Sequence, residues 1–140
     1  SDAKGIITGL TRATTKAHIT RAALESMAYS AKDIVDVMKR EGDIDLSEIR
    51  VDGGASKNDF LMQFQSDVLR VAVDRPTERE STALGAAYLC QIALGMKTIE
   101  DIEKIRITEK RFTPSGDQTK YNKYYGEWER AVRRCIYDKR

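Results

Sequence analysis

The chain has 140 residues, 41% of them hydrophobic, with no low-complexity tract, which is the size and makeup of one globular unit with a real core and excludes a disordered chain. Twenty-four Lys and Arg balance 22 Asp and Glu to a net charge of +2, too close to neutrality to imply a polyanionic partner, so nucleic acid is not expected. One histidine rules out a multi-histidine metal site, and the two distant cysteines, Cys90 and Cys135, read as buried or half-buried thiols rather than a disulfide or zinc site.

The amino-terminal residues Ser1–Gly5 carry no apolar stretch of signal-peptide length, and no later window approaches a membrane span. A cytoplasmic protein without membrane contact is the expectation. The chain lacks an initiator Met and turns apolar almost at once, which reads as part of a larger protein.

In chain order, Ile6-Ile7-Thr8-Gly9-Leu10 is β-branched and reads as a strand end. A long helix over Thr15 to Arg40 follows, with Ile19, Ala23, Met27, Ile34 and Met38 on one face. Leu24, Ala28, Ala31 and Val35 form an adjacent stripe, which predicts packing on two sides. Glu48 to Asp52 reads as a strand broken by Gly53-Gly54, and Ser56 as the cap of a helix running through Leu69. Val71-Ala72-Val73 is a second strand stopped by Arg75-Pro76, and the loop Thr77 to Ser81 leads into a helix from Thr82 to Leu94. The small residues Ala83, Gly85, Ala86, Ala87 and Ala93 would allow that helix a close approach to a neighbour or ligand. Ile99, Ile102 and Ile105 suggest a short helix, Arg106 to Phe112 an extended piece, and Pro114-Ser115-Gly116 a turn, with Glu100 to Lys110 a solvated surface. The last segment, Gln118 to Tyr137, places Tyr121, Tyr124, Trp128, Val132 and Cys135 on one helical face. Its aromatic and basic residues could pass for a nucleic-acid surface, but aromatics at this spacing are more often core, and Glu127, Glu129 and Asp138 offset the charge. The order is α/β, helix-rich with a few short strands and parallel pairing between them.

Chemistry concentrates in Val51-Asp52-Gly53-Gly54-Ala55-Ser56-Lys57-Asn58. Paired glycines between a strand and a helix let a phosphate or nucleotide sit against bare backbone where unpaired N–H groups point outward. The segment is not a Walker A loop, because no Lys-Ser or Lys-Thr follows a glycine at the required spacing. Asp52 reads as an acceptor for the turn backbone rather than a magnesium ligand, and His18 as a surface or capping residue.

Arg50 to Ala55, continued by Asn58 to Asp67, resembles the adenosine-binding segment of glycerol kinases. Gly5 to Leu10, followed after seven residues by His18 to Glu25, is similar to the carboxy-terminal signature of the wider carbohydrate kinase family. Thr82 to Tyr88 resembles that family's Gly/Ala-rich helix, and Glu78 to Ser81 the loop before it. The resemblance covers Gly5 to about Arg134 and implies an actin-like (ribonuclease H-like) ATPase fold. Residues 1–140 would be the carboxy-terminal nucleotide-binding portion of such a kinase, an incomplete domain.

The same resemblance implies that Gly54 and Asn58 contact the adenine nucleotide, with Gly53 and Ala55 beside them. The parent would use ATP and Mg2+ to phosphorylate glycerol to glycerol 3-phosphate, and its catalytic base and glycerol ligands would lie upstream. No catalytic residue is therefore assigned, and the isolated chain is expected to be inactive, with weak or undetectable affinity for ATP. The same region of a pentulose kinase, or a stand-alone nucleotide-binding or scaffold module, are the alternatives; upstream sequence separates the first, and a start codon just before Ser1 the second. Strand edges and an apolar face left uncovered would also favour a homo-oligomer of this piece.

Overall fold

The computed structural model describes residues 5–78 and 80–137, with backbone alone at Tyr137. Ser1 to Lys4, Arg79 within the 77–81 loop, and Asp138 in the terminal charge balance lie outside the described residues.

The elements run α1 (Lys16–Gly42), β1 (Glu48–Arg50), a 3-10 turn (Gly54–Lys57), α2 (Asp59–Leu69), β2 (Ala72–Pro76), α3 (Ser81–Ala93), α4 (Ile99–Ile105), β3 (Thr108–Phe112) and α5 (Gln118–Tyr137). Among the described residues the sheet has the order β1-β2-β3. β1 and β2 are parallel, with Ile49 opposite Val73, and α2 makes the crossover between them. β3 returns antiparallel to β2, with Asp74 opposite Arg111, so the parallel pairing expected throughout holds for one pair only. α3 and α4 lie in the connection between β2 and β3, so its length would also allow a parallel crossover; β3 nevertheless returns antiparallel.

α2 is the centre of the molecule, lying on the sheet between α1 and α5. Its apolar spacing delivers Leu61, Met62, Phe64 and Val68 into one cluster with Ala28 and Tyr29 of α1, Val73 of β2 and Phe112 of β3. Tyr121, Tyr124, Tyr125 and Trp128 of α5 pack against that cluster. The α5 aromatics are thus committed to the core, with Tyr125 OH and Trp128 Nε1 both donating to the Asp33 carboxylate at 2.5 and 3.2 Å.

Several local expectations are corrected. Residues 6–10 form no strand and are exposed, because β-branched character without a neighbouring strand to pair with does not make a ladder. α1 packs on one side only: Ala28, Tyr29 and Val35 are buried, whereas Ile34, in the other stripe, is 63% exposed and Ile19, Met27 and Met38 are exposed with it. β2 extends past Val73 through Asp74, Arg75 and Pro76, all buried, because ionic partners from other elements neutralise the two charges. Arg106 pairs with Asp74, and Asp59 and Glu109 flank Arg75. Burial pushes the Asp74 carboxyl up, but Arg106 and Thr108 outweigh it and leave the group below its ordinary range. Glu109 and Lys110 are likewise structural partners rather than a purely solvated run.

α3 holds no buried residue, and Leu94 just beyond it is 74% exposed. The close approach expected of its small residues is not made among the described residues; a Cβ on Gly85 would meet nothing within 4 Å. Cys135 is half-buried as expected, whereas Cys90 on α3 is exposed; neither forms a disulfide among the described residues. His18 caps α1, its Nδ1 accepting from the Thr15 N–H at 3.1 Å.

Candidate nucleotide-facing site

The backbone leaves the sheet after Val51, whose N–H still donates to Asp74 O at 3.1 Å. Gly53 then adopts φ 77 and ψ 178, a region that L side chains rarely enter, and this reverses the chain into the 3-10 turn. Ser56, 1% exposed, closes the turn from inside: its N–H and its hydroxyl both donate to Gly53 O, at 3.2 and 2.7 Å. Asn58 N–H donates to Ala55 O at 3.1 Å, and Asn58 Oδ1 then accepts the Leu61 N–H at 3.1 Å. The cap of α2 is therefore Asn58 and not Ser56, whose short side chain is spent within the turn. Asp52 is exposed and accepts no hydrogen bond among the described residues, so the acceptor role expected of it is not seen there; the turn is closed instead by Ser56, which donates to Gly53 O.

A cavity of about 450 Å³ opens against this turn. Gly54, Ala55, Lys57 and Asn58 form one wall, Leu61 of α2 the base, and Leu24 and Met27 of α1 the opposite wall. Of the four residues singled out from sequence, Gly54, Ala55 and Asn58 line the cavity, and Gly53 is the hinge behind them. A Cβ on Gly54 would meet no protein atom within 4 Å, so the space it faces is open. Leu24 and Met27 were legible only as core-stripe residues, because their place beside the turn depends on how α1 crosses α2. The wall of methyl, methylene and thioether groups suits a flat apolar face, and the unoccupied Asn58 amide and exposed turn backbone suit polar edges.

The turn is anchored by Arg75. Its Nη1 donates to Ser56 O at 2.8 Å and to Asp59 Oδ1 at 2.7 Å, while Lys110 Nζ holds Asp59 Oδ2 at 2.6 Å. Hydrogen bonds from Lys110 and then Arg75 keep the Asp59 carboxyl below its ordinary range. Sequence reasoning took Arg75 only as a strand stop. A lone Arg-Pro pair carries no signal of partners that lie on α2 and β3.

Gly53→Ala and Gly54→Ala separate the two glycines. At Gly53 an Ala Cβ has room, but the backbone is strained, and urea unfolding should show a loss of about 2 kcal/mol. Gly54 lacks that φ and its substitution should leave stability nearly unchanged.

The description "FGGY family of carbohydrate kinases, C-terminal domain" matches residues 1–94. A glycerol kinase of Oceanobacillus iheyensis is 51% identical over 133 residues, which are 94% of this chain and 27% of that protein. A crystal structure of Plasmodium falciparum glycerol kinase with ADP superposes with a TM-score of 0.84 at 34% identity, over 97% of this chain and 28% of that one. Ligand-bound xylulose kinase from Lactobacillus acidophilus shares the fold, with a TM-score of 0.79 at 22% identity over 97% of this chain and 28% of that one. The chain spans about a quarter of the length of the relatives it matches. The expected actin-like kinase fold is thereby found.

Proposed function

The chain belongs to the FGGY family of carbohydrate kinases, and from that membership we propose that it supplies the adenosine-facing wall of a kinase that transfers the γ-phosphoryl group of ATP to glycerol. The carrying observation is that Gly54, Ala55 and Asn58 converge on one cavity, with an apolar wall from α1 opposite them. Identity of 51% over 94% of the chain with a glycerol kinase, and 34% with the superposed glycerol kinase, supports glycerol as substrate.

In this reading the adenine ring lies between the turn and the Leu24–Met27 face. The Asn58 Nδ2 group, left free when Oδ1 caps α2, donates to a polar edge of the nucleoside. Gly54 keeps that space clear, since any side chain would enter it. Phosphoryl transfer depends on positioning and on charge stabilisation around in-line oxygens, and the chain contributes to positioning alone. No group of three or more His, Cys, Asp or Glu converges among the described residues, so Mg2+ would arrive with the phosphates and be held elsewhere in the enzyme. Catalytic base, glycerol ligands and the second wall of the cleft come from the rest of the parent, and residues 1–140 alone are inactive and bind nucleotide weakly.

Photolabelling captures weak binding. An ADP analogue with an azide on the adenine ring should label the peptides holding Leu24–Met27 or Gly54–Leu61, and excess ADP should protect them. Label scattered over the surface, or undiminished by ADP, would count against the reading.

On its likeness to glycerol kinases we place the protein in the cytoplasm. No nucleic-acid partner is part of this reading; the α5 aromatics that could have suggested one pack against the core. The exposed apolar residues Ile19, Met27, Ile34 and Met38 of α1, and separately Leu89 and Leu94, would bring copies of the isolated chain together. Light scattering should show apparent mass rising with concentration; a monomer at high concentration contradicts this.

A further inference from the structure

We propose that Arg75 is the positioning residue of the nucleotide-facing turn, an inference that rests on the nucleotide reading of the cavity. Arg75 lies in the central strand with its side chain 5% exposed, where a guanidinium is tolerated only if its donors are met. Its partners are not arranged merely to neutralise it. Nη1 bridges Ser56 O, inside the 3-10 turn, and Asp59 Oδ1, in the first residue of α2. One nitrogen of a planar guanidinium therefore spans the junction between turn and helix, and the two residues it brackets, Lys57 and Asn58, are cavity wall.

The other side of the guanidinium is fixed from β3. Glu109 approaches Nε at 3.3 Å, and the guanidinium carbon lies 5.2 Å from the centre of the Phe112 ring. Lys110 closes the circuit by holding the second oxygen of Asp59. The β2–β3 pair thus sets the angle at which Asn58 meets the cavity. Ser56 O would otherwise be a buried acceptor with nothing to stop the turn from rolling away from the sheet.

Lysine at this position keeps the charge, but its nitrogen ends about one bond short of Nη1 and it lacks the Nε and Nη2 edge that faces Glu109, so Arg75→Lys tests geometry rather than charge. The readout is amide hydrogen exchange at Ser56 and Asn58, whose N–H groups close the turn, normalised to Tyr124 in α5, together with an ADP titration followed at the Gly54 amide. Exchange at Ser56 and Asn58 should rise about tenfold relative to Tyr124, and the ADP midpoint should rise by a similar factor. Equal change at Ser56, Asn58 and Tyr124 overturns the proposal, as does a loosened turn with an unaltered ADP midpoint. If wild type shows no ADP response, the nucleotide reading has failed, and relative exchange alone decides whether Arg75 holds the turn. Should Arg75→Lys not fold, Asp59→Asn, at a half-exposed site, replaces it with the same expected local loosening.

Discussion

Phe64→Ala is expected to remove about 4 kcal/mol of folding stability, a large fraction of what a domain of this size has in reserve. Phe64 is buried in α2, and three rings converge on it. Tyr29 from α1 and Tyr121 from α5 meet it edge-on, each with centroids 5.5 Å away, while Phe60 stacks at 5.8 Å. Truncation removes the one side chain that all three helices share and leaves a cavity that fixed helices on either side cannot close. The aromatic contacts add to the area term, since edge-to-face pairs contribute about 0.5–1.5 kcal/mol each beyond burial. Urea unfolding followed by tryptophan fluorescence reports it directly, because Trp128 packs on Tyr29 at the rim of the same cluster. A loss below about 1 kcal/mol would show that the core is not organised around α2.

Asp67→Ala should cost about 3 kcal/mol, through polar rather than apolar loss. Its carboxylate is buried and gathers the 115–116 turn, α2 and α5 at one point. Oδ1 accepts from Ser115 N–H at 2.7 Å, Gly116 N–H at 3.1 Å and Gln63 Nε2 at 3.1 Å; Oδ2 accepts from Tyr121 OH at 3.0 Å. Alanine would leave two part-buried backbone donors without their acceptor, and Tyr121 and Gln63 without theirs. Burial pushes this carboxyl up, but the Ser115 and Gly116 N–H groups, with Tyr121 and Gln63, more than offset it, and the acid lies below its ordinary range. The sign follows. A depressed folded value means the unfolded chain binds the proton more readily, so the contribution is complete above the unfolded value, near pH 4, and fades as pH falls through the folded value. Wild type should lose stability steeply below about pH 4, and Asp67→Ala should show a shallower acid limb. Parallel acid limbs would mean that another carboxylate dominates.

Long amphipathic elements were legible from the residues alone. α5 begins and ends where its aromatic spacing predicts, at Gln118 and Tyr137, because periodicity over many turns averages out local ambiguity. Where the reading failed, the deciding partner was remote. Asp74 and Arg75 look like the end of a strand, and only Arg106, Glu109 and Asp59 make them tolerable inside it. Ser56 has every property of a helix cap, yet its hydroxyl turns back to Gly53 O and hands the cap to Asn58. The stripe Ile19, Met27, Ile34 and Met38 has helical period yet stays 42–63% exposed, since period reports a face and not what covers it.

The site divides the same way. Paired glycines after a strand are a local signal, and the turn forms where they predict it. Leu24 and Met27 reach the cavity from α1, and Arg75 reaches the turn from β2; neither contribution can be read before the helices and sheet are assembled.

The central claim is that the Gly53–Asn58 turn faces a nucleotide. The most direct measurement is a titration of ADP into the 140-residue chain, followed by amide NMR, with wild type and Gly54→Val side by side. A Cβ at Gly54 meets no protein atom, so the variant should fold as wild type does while filling the cavity. The account predicts shifts centred on Gly53 to Asn58 and on Leu24 and Met27 in wild type, and their loss in Gly54→Val. Shifts that centre elsewhere, or that persist at the same midpoint in Gly54→Val, would contradict it.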